Sequence, residues 1–126
     1  MTDVDIHERY IALLQKSGES EEHPAGEVVF SAGDPADRMY VVTDGTVALS
    51  IGDTVLEVVG PGGLFGEMAV IDREPRSATA VVETDATLVS IDKRRFWFLV
   101  QETPYFAEIV MRVMANRLRR ESAKRA

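Results

Sequence analysis

Apolar positions change their period twice along this chain, and the changes divide it into three parts. Near the start, Ile6, Tyr10, Leu13 and Leu14 fall on one helical face, which predicts a short helix over residues 6–16. Ser17-Gly18-Glu19-Ser20-Glu21-Glu22 has no apolar residue and reads as a polar connector, with Gly18 as the helix stop. From Pro24 to Ile91 short apolar runs alternate with turn residues, which predicts an antiparallel all-β unit. The runs are 27–30, 39–43, 46–51, 55–59, 79–82 and 86–91. Ala32-Gly33-Asp34-Pro35, Asp44-Gly45, Gly52-Asp53 and Pro61-Gly62-Gly63 punctuate them, and Asp44-Gly45 is the strongest hairpin signal.

After Ile91 the helical period returns. Asp92 suits an N-cap, and Phe96, Leu99 and Val100 share a face with Trp97 beside it. Thr103-Pro104 suits the start of a second helix. There Phe106, Ile109, Val110, Val113, Met114 and Leu118 form one apolar stripe. The whole of 1–126 reads as one domain, with a helix and connector over 1–23, a β unit over 24–91 and helices over 92–123.

Composition narrows the class. A chain of 126 residues with 45% hydrophobic and 28% charged residues has the makeup of an ordinary globular domain with a core of its own. It has no apolar run long enough for a membrane span and no basic and apolar leader at Met1-Thr2-Asp3-Val4-Asp5, so the expected location is the cytoplasm, without membrane contact. The absence of cysteine excludes disulfides and thiolate metal sites. Residues 1–92 carry 5 Lys/Arg against 18 Asp/Glu (net −13), and residues 93–126 carry 9 against 3 (net +6). The overall charge of −7 disfavours non-specific nucleic-acid binding. The basic end reads as a solvated helix surface favoured by the helix dipole.

The candidate chemistry lies in Phe65-Gly66-Glu67-Met68-Ala69, a short loop, and Pro75-Arg76-Ser77-Ala78. Gly66 permits a backbone that a Cβ would obstruct, and Glu67 to Ile71 can then form about one helical turn whose first N–H groups attract an anion. Glu74 and Pro75 break that turn. Arg76 follows with a planar fork suited to a phosphate, and Ser77 adds a hydroxyl. Glu67 fits beside an anion only if it accepts from a neutral group such as a sugar hydroxyl. The alternative is a β-turn in which Glu67 or Glu74 pairs with Arg76 on the surface.

At these residues the chain resembles the cyclic-nucleotide-binding domain family, whose phosphate-binding cassette has this order and spacing. The resemblance runs from about Pro24 to Ser122, and the separation of nine positions between Glu67 and Arg76 is similar to that in protein-kinase regulatory subunits, one shorter than in the catabolite activator. It implies an eight-stranded antiparallel jelly-roll β-roll with flanking helices and the cassette at 65–79. It also implies that Glu67 takes the ribose 2′-OH and Arg76 pairs with the cyclic phosphate, with Ser77 in support. Phe65, Gly66, the N–H groups of Met68 and Ala69, and Ala78 complete the cradle. The lead before the first strand is shorter than is usual in the family.

The C-terminal stripe has three uses open to it: packing on the β-roll, covering the base, or pairing with a second copy or a partner protein. The resemblance puts base contacts near Glu121 and Ser122, with Val113 and Arg117 as further candidates for base or lid contacts. The expected function is that of a sensor of cyclic AMP, with cyclic GMP as the other ligand, which relays occupancy through its C-terminal helices. The alternative is a β-roll interaction domain that no longer binds nucleotide. No cofactor and no catalysis are expected: metal-dependent jelly rolls need clustered ligands, and His7 and His23 precede the barrel strands. No direct DNA contact is expected, since about one turn follows Leu118 to Arg120 and leaves no recognition helix.

Overall fold

The computed structural model describes the backbone of residues 3–125 and the side chains of residues 9–120. The elements are α1 (Asp3–Ser17), β1 (Glu19–His23), β2 (Val28–Phe30), β3 (Arg38–Ile51), β4 (Thr54–Val59), β5 (Leu64–Phe65), α2 (Glu67–Asp72), β6 (Thr79–Asp92), α3 (Lys93–Glu102) and α4 (Pro104–Arg125). All strand pairs are antiparallel, in the order β1-β6-β3-β4, with β2 added to β6 and β5 to β3. The result is a β-roll with helices at both ends of the chain.

Among the described residues the roll has six strands rather than the expected eight, because β3 and β6 each run through two of the expected segments. Asp44-Gly45 is not a hairpin. β3 continues through it, paired with β6 on both sides, and the register shifts from Val42 to Val47 absorb the extra residues as bulges. Gly45 has φ 78, and a Cβ there would lie 2.2 Å from the Asp85 carbonyl oxygen. A left-handed glycine serves a bulge as well as a hairpin, so the dipeptide alone does not decide between bending and reversing the chain. The reversal comes at Gly52-Asp53, where Ile51 and Thr54 are paired and Gly52 has φ 58.

The expected connector is also corrected, since Glu19–His23 is a strand. Its partners are the residues from Ser90 back to Ala86. Backbone hydrogen bonds hold this polar strand at the end of the sheet path, where charged side chains are tolerated.

Among the described residues two apolar clusters fill the interior. One packs Tyr10 and Leu14 of α1, Phe96 and Leu99 of α3, and Phe106 and Val110 of α4 against Met39, Val41, Val89 and Ile91 of the sheet. The other lies inside the roll, among Val42, Val47, Leu49, Val59, Phe65, Ala80, Val82, Ala86 and Leu88. The N-terminal and C-terminal helices share the first cluster, which buries Tyr10 and Leu14 of one expected face and Phe106 and Val110 of the other, with Ile109, Val113 and Met114 partly buried and Leu118 half exposed. Ile6 lies outside the described side chains. Asp92 caps α3 as expected, accepting from the Arg95 N–H at 2.8 Å.

Candidate functional site

The cassette begins where β5 ends. Gly66 stands at the head of α2 with φ 82, and a Cβ there would come within 2.7 Å of Arg76 Nη1. Glycine is therefore required both by the backbone and by the closeness of the guanidinium. α2 ends after Asp72 through a left-handed Arg73, whose N–H bonds the Ala69 carbonyl at 3.1 Å. The chain then returns Arg76 to the side of Gly66.

Arg76 is buried and fixed at both ends. Its backbone exchanges hydrogen bonds with the 33–34 turn, N–H to Asp34 O at 2.9 Å and O from Gly33 N–H at 2.8 Å. Its Nη1 and Nη2 donate to the carbonyls of Gly66 (2.8 Å) and Arg38 (2.7 Å), and its Cζ sits 4.0 Å from the centre of the Phe30 ring. Phe30, Tyr40 and Phe65 form the aromatic floor, with the last two stacked at 5.3 Å. Burial pulls the Arg76 pKa below its ordinary value, against the opposing pull of Tyr40, Asp37 and Glu67. The Nε is buried without a hydrogen-bond partner among the described residues. A guanidinium has five N–H donors, so most of its donor capacity is uncommitted.

Glu67 is fully buried. Its Oε1 accepts from Arg117 Nη1 of α4, and its Oε2 is buried with no hydrogen-bond partner among the described residues. Arg117 also donates to Leu64 O at 2.8 Å and, from Nε and Nη2, to the two oxygens of Glu57 on β4, each at 3.1 Å. Arg120 adds bonds to Glu57 Oε1 (3.0 Å) and Leu56 O (3.2 Å). Burial lowers the Arg117 pKa, but its bonds and charge contacts with Glu57 and Glu67 outweigh this and raise it.

These residues line one cleft of about 190 Å³, with Phe30, Leu49, Ile51, Leu56 and Leu118 as its apolar wall. Of the expected site residues, Gly66, Glu67, Met68, Ala69, Arg76, Ser77, Ala78 and Arg117 line it. Phe65 does not; it is fully buried beneath, as part of the floor. Val113 is corrected too. It packs against the helical core cluster, because its position on α4 faces the same way as Phe106 and Val110. Glu121 and Ser122 lie outside the described side chains. The surface pairing of Glu67 or Glu74 with Arg76 is absent from the described ion pairs, and Glu67 pairs with Arg117 instead. Glu57 and Arg120 were not singled out from sequence. The signal available was one carboxylate in the apolar run Val55-Leu56-Glu57-Val58-Val59.

The cyclic nucleotide-binding domain pattern matches residues 20–103, two thirds of the chain. The chain belongs to the cyclic nucleotide-binding domain family. It is 33% identical over 115 residues to the CRP-like cAMP-activated global transcriptional regulator of Mycobacterium tuberculosis, a match covering 87% of this chain and 51% of the regulator. Its fold matches the crystal structure of the Thermus thermophilus Catabolite Activator Protein at a TM-score of 0.79, with 30% identity over 92% of this chain and 57% of that one. A structure described under "A cyclic-GMP-dependent signalling pathway regulates bacterial phytopathogenesis" matches at a TM-score of 0.76 and 28% identity, covering 94% of this chain and 95% of that one. The chain thus spans about half the length of the curated regulator, and in this family member the cassette, Arg76 and α4 converge on one cleft.

Proposed function

We propose that the chain is a sensor module for a 3′,5′-cyclic nucleotide, cyclic AMP in the first place, and that it relays occupancy through α4. Arg76 pairs with the cyclic phosphate, supported by Ser77 and by the N–H groups of Met68 and Ala69, and Glu67 Oε2 accepts from the ribose 2′-OH. The carrying observation is a pair of buried polar atoms without hydrogen-bond partners among the described residues, Glu67 Oε2 and Arg76 Nε, both on residues that line the same cleft. Leaving such atoms unpaired is costly, and a ligand that bears both a hydroxyl donor and an anion satisfies the two together. The cleft's three arginines and two glutamates leave one positive charge, which suits a monoanion.

Cyclic GMP is the second reading, favoured by the exposed Ser77 hydroxyl in the cleft and by the structural relative whose description names cyclic GMP. Isothermal titration with each nucleotide separates the two. In the same titration Arg76→Ala weakens binding by about 1.5–3 kcal/mol, roughly 10- to 150-fold, while the protein stays folded. Unchanged affinity in that variant overturns the assignment of Arg76 to the phosphate.

A further inference from the structure

Glu57 belongs to no part of the cassette, yet it organises the roof of the cleft. It projects from β4 and takes both Nε and Nη2 of Arg117 in a two-pronged carboxylate–guanidinium pair, with Arg120 Nη1 added on Oε1. That geometry fixes the guanidinium plane of Arg117, not only its distance. Arg117 then has Nη1 directed at Glu67 Oε1, which leaves Oε2 as the uncommitted oxygen. Apolar contact holds this end of α4 weakly: Leu118 is 50% exposed, and the helix's members of the core cluster end at Met114.

We propose that Glu57 is a positioning residue, which clasps α4 over the cleft through Arg117 and Arg120 and so presets Glu67 for a ligand hydroxyl. It rests on the cyclic-nucleotide reading of the cleft. The roof is built before ligand arrives, and binding need not bear the cost of ordering residues 115–120. A ligand biases α4 through this clasp, because Glu67 touches the helix with one oxygen and the ligand with the other.

The test is amide hydrogen exchange on the free protein and with saturating cyclic AMP, for the wild type, Glu57→Ala, Glu57→Gln and Arg120→Ala. In the wild type, amides 115–120 are protected without ligand, and cyclic AMP raises that protection further. In Glu57→Ala their protection falls about tenfold or more in the free protein and returns in part with cyclic AMP, whose affinity falls about tenfold. Glu57→Gln, which keeps one acceptor, recovers part of both. Arg120→Ala removes only the half-exposed partner and gives a smaller loss, which guards against misfolding of the Glu57 variants. Wild-type protection of 115–120 in the free protein of Glu57→Ala, or wild-type amides unprotected until ligand binds, overturns the clasp. The free-protein arm needs no ligand, so a clasp that behaves as expected in a protein that binds neither nucleotide refutes the cyclic-nucleotide reading instead.

Discussion

The two halves of α4 are attached to the same β-roll by different physics. Its first half buries Phe106 completely and Val110 almost so, in a cluster shared with α1, α3 and the sheet. Its second half puts Arg117 and Arg120 against Glu57 and Glu67, with Leu118 half exposed. Apolar burial is non-directional and changes little with salt or pH, whereas an ion pair depends on geometry, charge state and what competes for its partners. One helix thus has an anchored start and an end held beside the cleft by ion pairs. Under the proposed function, that division is what lets a ligand act on α4 without unfolding the domain.

The largest effect comes from breaking the anchored half. Phe106→Ala removes a ring that meets Phe96 edge-on at 5.8 Å inside a closed cluster, and the cavity costs about 3–5 kcal/mol of unfolding free energy. Urea denaturation measures it. A loss under about 1 kcal/mol means that the first half of the helix is not an anchor, and the comparison fails.

A smaller effect sharpens the other half. If Glu67 holds Arg117 with one oxygen and a ribose hydroxyl with the other, the wild type prefers cyclic AMP to its 2′-deoxy analogue by about 1.5–3 kcal/mol, roughly 10- to 150-fold. Glu67→Ala erases most of that preference. Equal affinities in the wild type sink the role given to Glu67, while leaving the anchor of Phe106 untouched.

The anchor was readable in the sequence and the clasp was not. Phe106, Ile109, Val110, Val113 and Met114 follow a helical period, and period reports which face is buried. Gly66, Glu67 and Arg76 were legible for another reason, because a glycine, an acid and an arginine at fixed spacing constrain each other locally. Glu57 and Arg117 are 60 residues apart, and nothing in either segment announces the other. β1 was missed because Glu19–His23 pairs through its backbone and carries no apolar signal. The reading of Asp44-Gly45 failed because the backbone requirement it reports, a left-handed glycine, is common to a hairpin and a bulge. Only the partner strand β6, running past both sides, decides which one forms.

The smallest effect follows from the charge of Glu57, and it separates the two halves of α4 by pH. Burial raises the Glu57 pKa, but the hydrogen bonds and charges of Arg117 and Arg120 outweigh this and hold it below the ordinary value of 4.5. The fully buried Glu67 also faces Arg117, so the two carboxylates share that guanidinium. A carboxyl whose folded pKa is depressed contributes stability that is fully present above its unfolded value and is lost as pH falls through the folded one. The clasp is therefore intact at neutral pH and weakens only below 4.5. Wild type minus Glu57→Gln isolates that contribution, since the amide does not titrate. Protection of amides 115–120, compared this way, shows a difference that is constant above 4.5 and shrinks below it, while amides 106–110 show none. A difference that grows as pH falls has the opposite sign and removes Glu57 from the clasp.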